Sequence, residues 1–566
     1  MSYIDACKVG QNVLVSERTG VGRRVRRYDA PYFFYSTDPD GKHLSMYGDR
    51  VQRHDFSDRD SMMEERDRLR MEGTETFESD IRTEYKLLEE KYSGKPAPQL
   101  NVAVIDIEVF SRAAKGWAGF DNPYAEITAI SVGRLWIGDT VTLALTPPTM
   151  TYEAACSLVA DIPDTLVFDN ERDLLLAFLD LIEDADVTTG WNSEKFDMPY
   201  IVARLRIAVC GERVDAVIDK NRPVPEATDA VLKRLCVFLR PRRGEVEEYG
   251  TISTVFSFPG RPHLDYLKLY RKFILEPRES YKLDNILWVE LKQRKVKYDG
   301  TLEDLYTTDF KLYVEYNRQD VNGLAGIDDK LGLIAIANEM SHQSCVLLSD
   351  AVGSVSKIEQ AIVHDIHRNG MVACDKPTID EGKEKVAGAL VLDPKPGLYD
   401  WCCNLDVKSE YPSTIMMLNI SPETFVGQFD TAATRAAVKA SKTAWRNFTG
   451  TLEYHEIVDG EDMGDFARDM TLIMRDGTRV VKSSDEWRRF FKEGGYALTA
   501  NATVFAVDRD GFIPSLLRRW FAERKEYQAK AKQHKRELED FLSKIPVIED
   551  SSDDEVELDD EEEAVE

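Results

Sequence analysis

Cysteine is scarce and scattered in this chain of 566 residues. There are 8, only Cys402 and Cys403 are adjacent, and no CxxC pair occurs. That excludes a zinc or iron–sulfur module built on paired thiolates and fits reduced thiols in a cytosolic setting. Long apolar runs are missing too. None approaches the roughly 18 residues of a spanning helix, and the N-terminus has no secretory pattern, so neither membrane insertion nor export is expected. Net positive charge is lacking: 73 Lys and Arg face 101 Asp and Glu, a formal charge of −28. This excludes non-specific nucleic-acid binding through global charge, though not through local basic clusters. The charged and apolar fractions, 31% and 43%, are those of a soluble globular protein, and the length holds several domains with separate cores.

What is present centres on residues 101–110, NVAVIDIEVF. Val102, Val104, Ile105 and Ile107 predict a strand. A strand sends i and i+2 to one face, so Asp106 and Glu108 stand side by side in an apolar setting. A divalent cation such as Mg²⁺ relieves that repulsion. Taken alone, DxE also fits a strand with an acidic outer face, or carboxylates paired with Lys or Arg.

Residues 1–98 predict a small α+β domain. It has a strand near Asn12–Glu17 and amphipathic helices over Ser61–Met71 and Ser79–Tyr92. Arg23, Arg24, Arg26 and Arg27 run into Tyr28, Tyr32, Phe33, Phe34 and Tyr35. Such interleaving suits single-strand binding and equally a hairpin whose aromatics feed the core. GKPAP at 94–98 is a linker.

Residues 99–332 alternate strand and helix, an α/β layer pattern. Strands are expected at Ile127–Ile137, Thr140–Leu145 and Val187–Trp191. A helix capped by Asn170 should run to Glu183, and another over Met198–Cys210. GWNSEKFDMPYI sets Asn192, Phe196 and Asp197 at a strand-to-helix junction, and Asp197 is a second candidate ligand. A helix over Leu312–Leu324 carries YNRQD, in which Tyr316 and Asp320 share a face.

DIE, then NxxxFD, then YxxxD, in that order, resembles the three exonuclease motifs of DnaQ-like 3′→5′ exonucleases. With FDNERD at 168–173, the text is similar to the proofreading domain of family B DNA polymerases, in particular their T4-like phage branch. The resemblance implies an RNase H-like exonuclease fold, within an α/β and α+β multidomain chain. Asp106, Glu108, Asp197 and Asp320 would hold two Mg²⁺ or Mn²⁺ ions flanking a scissile phosphate. Tyr316 would orient the attacking water, and Asn192 and Phe196 would hold the frayed 3′ end. The loop 240–257 falls where this branch carries a strand-separating hairpin. Its Arg240, Arg242 and Arg243 fit phosphate contacts and a solvated turn equally.

Residues 333–377 would return to the N-terminal domain. From Gly388, the stretch LYDWCCNLDVKSEYPSTIMMLN resembles polymerase motif A of the same family. Cys402–Val407 is expected to be a strand ending near Asp406. By resemblance, Asp406 is one of two palm aspartates holding two ions at the nucleotide. The backbone at Ser409 and Glu410 approaches the triphosphate, and Tyr411 is the steric gate against a ribose 2′-OH. Residues 378–513 would form a partial palm of a right-hand polymerase and 514–546 the first fingers helix, with Arg524 reaching the triphosphate. Glu410 stands where the family has Leu, Val386 where it has Tyr, and Gln528 where it has Lys.

Residues 547–566, acidic and low in complexity, are expected to be disordered. Neither KxxxNSxYG nor DTD, motifs B and C of the family, occurs. The expectation is the N-terminal subunit of a split DNA polymerase. Its partners would be a primer–template and single-stranded 3′ end, dNTPs, a C-terminal polypeptide carrying motifs B and C, and a sliding clamp. It would act in the cytoplasm of an infected bacterial host. A free-standing 3′→5′ exonuclease on a decayed polymerase scaffold and a non-enzymatic DNA-binding scaffold are the alternatives.

Overall fold

The computed structural model describes residues 2–111, 115–248, 250–376, 393–407, 409–430, 469–499 and 502–544. The chain divides into two units, 1–387 and 388–566. Among the described residues no helix is long and apolar enough to cross a membrane.

The first unit opens with a three-stranded antiparallel sheet, Ser2–Val9, Asn12–Thr19 and Gly22–Asp29. The aromatic run that follows turns inward. Tyr32 and Phe34 are buried in one core with Tyr85 and Leu88. The arginines are engaged at home: Arg24 and Arg26 pair with Glu17 at 2.7 and 3.0 Å, and Arg23 donates to the Ala185 carbonyl. The hairpin reading of this stretch therefore holds over the single-strand one. The helix expected from Ser79 begins only at Thr83. Glu78 takes a left-handed φ of 55°, and Asp375 accepts from the Ser79 N–H at 2.6 Å, so the first residues serve a turn instead.

Residues beyond 344 pack back on these sheets. Cys345, Val346 and Leu347 join the core around Tyr3, and Met371–Val372 runs parallel to His43–Ser45. His367, on the Val355–Arg368 helix, bridges Glu89 and Glu78 at 2.7 Å each. Burial alone would lower its pKa, but the two carboxylates outweigh that and hold it at about 10. A raised histidine stabilises the fold below its unfolded pKa, near 6.5, and that contribution fades as pH rises through 10. His367→Gln is expected to cost about 2 kcal/mol at pH 6. The penalty should vanish near pH 10.5, as read by chemical denaturation at both pH values.

The centre of the unit is a six-stranded mixed sheet. Its order is Thr165–Phe168, Asp139–Leu145, Ile127–Arg134, Val102–Val109, Val187–Gly190, His263–Asp265. Val102–Val109 is antiparallel to Ile127–Arg134 and parallel to Val187–Gly190. Helices Glu171–Leu181 and Asp197–Arg204 pack on one face, around Leu143, Leu175, Phe178 and Ile201. The long helix Phe310–Leu331 covers Val104 from the other through Val321 and Leu324. Asn170 caps the first helix as expected, accepting from the Asp173 N–H at 3.0 Å. A buried pair ties helix to helix: Arg204 grips both oxygens of Glu171, which also accepts from the Ile127 N–H. The helix expected over Met198–Cys210 ends at Arg204 and continues as a π-helical turn, Leu205–Val209. Arg242–Glu248 and Thr251–Ser257 form an antiparallel hairpin.

The second unit contains a five-stranded antiparallel sheet in the order Arg479–Ser483, Asp469–Met474, Phe425–Phe429, Thr503–Ala506, Tyr496–Leu498. The capped helix Ser484–Lys492 seals it with Trp487, which donates its indole N–H to the Met470 carbonyl at 3.0 Å. Helix Glu410–Met417 lies on the start of the long helix Phe512–Ser543, where Arg518 donates to the Met416 carbonyl at 3.0 Å. One expectation fails here. Cys402–Val407 is irregular and exposed, not a strand, with Leu405 89% and Val407 67% accessible. An apolar run becomes a strand only against a neighbour's backbone ladder, and among the described residues none pairs with it. Val386 and the acidic tail lie outside the described residues.

Candidate active site

The strand geometry delivers the first pair. Asp106 and Glu108 leave Val102–Val109 on the same face, opposite Ser131 and Ala129 of the neighbouring strand. The helix Phe310–Leu331 lays Asp320 over them. Carboxylate oxygens of Asp106, Glu108 and Asp320 all lie within 4.8 Å of one another. Asp197, the first residue of its helix, meets the same strand, where its carboxylate accepts from the Ile107 N–H at 3.3 Å. It stands outside the tight trio. Gly190 permits this closeness: a Cβ there would sit 2.5 Å from the Ile105 carbonyl oxygen.

Crowding and burial show in the electrostatics. Burial, then Glu108, Asp320 and Asp197, push the Asp106 carboxyl well above its ordinary range. Burial and Asp320 raise Glu108 to about 8, and burial raises Asp197 to about 7. Asp320 is raised by burial against the opposing pull of Lys295. One oxygen of Asp320, Oδ1, is buried without a hydrogen-bond partner. An all-oxygen, acidic donor set with an unsatisfied buried lone pair suits a hard divalent cation.

Several residues around the acids were not singled out from the sequence. Asn317, fully buried, donates to Asp106 Oδ2 at 2.7 Å while accepting from Ser131 at 2.6 Å, which fixes the carboxylate's orientation. Lys295 pairs with Asp320 at 2.5 Å and donates to the Tyr316 hydroxyl at 3.0 Å. Burial would lower this ammonium, but Asp320 and Tyr316 hold it above its ordinary value. Tyr316, raised to about 12 by burial and Asp320, stands edge-on to Tyr298, their ring centres 5.4 Å apart.

Beside Glu108 lies a cleft of about 290 Å³ walled by Trp117, Phe196 and Leu302. Phe196 stacks on Tyr200 at 5.5 Å and meets Trp117 at 5.6 Å, while Trp117 remains 78% exposed. Asn192 is exposed at a left-handed φ of 60°, its turn held by Asp265, which accepts from the Asn192 and Glu194 backbone N–H groups. The hairpin arginines divide. Arg240 pairs with Asp229 at 2.8 Å, Arg242 contacts Cys7, and Arg243 donates to the Ile218 carbonyl at 2.7 Å.

In the second unit Asp406 is exposed in the irregular 402–407 segment. Ser409 takes a left-handed φ of 54°, a costly conformation for a side-chain-bearing residue, and its strain aims the next helix. Glu410 opens that helix on its exposed side, Tyr411 is 73% exposed, and Arg524 lies exposed on the long helix.

Comparison with known proteins bears on both units. Residues 64–286 match the model of the DNA polymerase family B exonuclease domain, and residues 344–545 match that of DNA polymerase family B. Asp106, Glu108 and Asp197 fall in the first stretch, Asp406 to Arg524 in the second, and Tyr316 and Asp320 between them. The DNA-directed DNA polymerase of Enterobacteria phage T4 is 31% identical over 264 residues, 46% of this chain and 27% of that protein. That of Escherichia phage RB69 is 26% identical over 368 residues, 64% of this chain and 33% of its own length. DNA polymerase beta of African swine fever virus (isolate Pig/Kenya/KEN-50/1950) is 28% identical over 366 residues, 60% and 29% of the two chains. The match thus spans a third or less of these relatives. The chain belongs to DNA polymerase family B, of which it carries the exonuclease domain and part of the polymerase domain.

Proposed function

We propose that this chain removes nucleotides from DNA 3′ ends at a two-metal 3′→5′ exonuclease site, and that it carries one half of a polymerase site used in phage-type DNA replication. The exonuclease reading rests on one observation above all: three carboxylates within 4.8 Å, one with an orphaned buried oxygen. Asp106, Glu108 and Asp320 would hold Mg²⁺ or Mn²⁺, with Asp197, anchored on the Ile107 N–H, completing the set. When bound, such a pair of ions supplies an activated water and stabilises the leaving 3′-oxygen.

The chain's own residues do the rest. Asn317 keeps Asp106 turned to the site. Lys295 donates to the Tyr316 oxygen, which directs the phenolic O–H toward the attacking water. Its charge also counters the surplus of carboxylates as the anionic phosphodiester enters. Trp117 and Phe196 form a slot for the terminal base, and Asn192 reaches the strand from its rigid turn. Stacking of this kind contributes about 1–3 kcal/mol per base. Trp117→Ala is therefore expected to raise KM for single-stranded oligo-dT by about 5- to 150-fold while kcat changes little, read by steady-state digestion.

The polymerase half is incomplete within these 566 residues. Nucleotidyl transfer by two ions needs a pair of carboxylates, and Asp406 is the one recognised here. Motif B and the motif C aspartate would come from a C-terminal polypeptide, with Ser409, Glu410, Tyr411 and Arg524 meeting the dNTP in the joint site. Among the described residues nothing pairs with the exposed segment at Asp406, which favours a second reading, an exonuclease whose polymerase part is only a scaffold.

The exonuclease reading is tested with a 5′-labelled primer in Mg²⁺ or EDTA. A ladder shortened from the 3′ end, dependent on metal and releasing mononucleotides, is expected. Intact primer under every metal, or internal cuts, would contradict it.

A further inference from the structure

A cleft of about 670 Å³ lies away from the carboxylates, at the root of the Arg242–Ser257 hairpin. Its lining is unusual for so acidic a chain: seven Arg and Lys side chains against Asp219 and Asp229. The basic groups outnumber the carboxylates even when the partners Glu212 and Glu245 are counted. Asp229 is held below its ordinary range by Lys233 and Arg240. Arg206 is spent on Glu212 and on the Ala216 and Val217 carbonyls. Two groups keep donors to spare, although Arg243 also donates to the Ile218 carbonyl at 2.7 Å. Arg222 is exposed, with no hydrogen bond or ion pair among the described residues. Arg243 lies over the Phe120 ring at 4.8 Å, and its buried Nε–H has no acceptor. Below this cationic rim the floor is apolar, made by Val202, Val217, Leu232, Leu239 and Phe256. The wall includes the π-helical turn at 205–209, a feature that recurs at functional sites.

We infer that this cleft is a second nucleotide-binding site, distinct from the exonuclease slot, which takes a phosphate on Arg222, Arg240 and Arg243 and lays the sugar and base on the apolar floor. An unpaired guanidinium N–H beside a free guanidinium calls for a planar or tetrahedral oxyanion. The volume is that of a nucleotide-sized ligand, and the apolar floor gives the base a surface that inorganic phosphate would leave uncovered. The nucleotide has two possible sources, a free mononucleotide such as the exonuclease would release, or one residue of a passing single strand. The choice of a nucleotide over other anions rests on the proposed DNA-handling function.

The test uses the full chain in EDTA, so that no cleavage occurs and a failed exonuclease assay would not affect it. Inorganic phosphate, dTMP and fluorescent oligo-dT are titrated against the wild type, Arg222→Gln/Arg240→Gln and Trp117→Ala. Both arginines are exposed, and unchanged thermal unfolding checks the variant's fold. The expected result is at least tenfold weaker nucleotide binding in the arginine variant, with that component kept in Trp117→Ala. For oligo-dT, the slope of log affinity against log salt should become shallower by about 1.4, two single-strand phosphates' worth. Binding of dTMP identifies a free mononucleotide as the ligand, and binding of oligo-dT alone identifies a strand. Equal affinity and slope in the arginine variant, loss of all binding with Trp117→Ala, or binding of neither nucleotide ligand would overturn the inference.

Discussion

Asp106→Ala with Glu108→Ala is expected to cut 3′→5′ degradation at least about a thousandfold, since bound metal contributes several kcal/mol of transition-state stabilisation. The fold should survive and even gain stability. Burial and mutual repulsion hold these carboxyls above their unfolded values, Glu108 at about 8. A raised acid favours the folded state at low pH, and that advantage is lost as pH rises from about 4 through 8. In EDTA at pH 8 the double variant should therefore melt higher than the wild type, and at pH 4 the difference should shrink. Mg²⁺ should raise the wild-type melting temperature at pH 8 and leave the variant's unchanged. An inactive variant that also melts lower at pH 8 would mean that the two acids support structure and not chemistry.

The second large effect concerns synthesis. Alone, the chain is expected to add no nucleotide to a primer–template. Mixed with a C-terminal polypeptide carrying motifs B and C, it should incorporate dNTPs at a rate at least about a thousandfold above either part. Asp406→Ala should abolish that gain and leave degradation intact, because Asp106 and Asp406 belong to separate units. Incorporation that persists in Asp406→Ala would remove this residue from the polymerase site. No gain with any such partner would favour the scaffold reading of residues 388–566.

The two sites were legible to different degrees, for physical reasons. Asp106 and Glu108 could be read because a strand's period of two fixes their common face. Tyr316 and Asp320 followed from the helical period in the same way. Lys295 could not: it lies between helices, in a stretch with no repeat, and reaches Asp320 only through tertiary folding. Asn317 sits inside the YNRQD text, but its inward direction depends on how the helix is rotated against the sheet, which no local pattern fixes. Trp117 was hidden for a similar reason, since its partner Phe196 comes from a distant junction. The Cys402–Val407 expectation failed because strand pairing involves two segments, and composition reports on only one. The π turn after Arg204 keeps the apolar spacing of a helix, so its extra residue left no mark in the sequence.

The most direct test of the central claim is a crystal of the chain grown with Mn²⁺ and a short single strand, with diffraction measured at the manganese edge. Two anomalous peaks about 4 Å apart, touching Asp106, Glu108, Asp320 and Asp197, are expected. Manganese bound elsewhere, or Lys295 still paired with Asp320 and no peak between the acids, would contradict it.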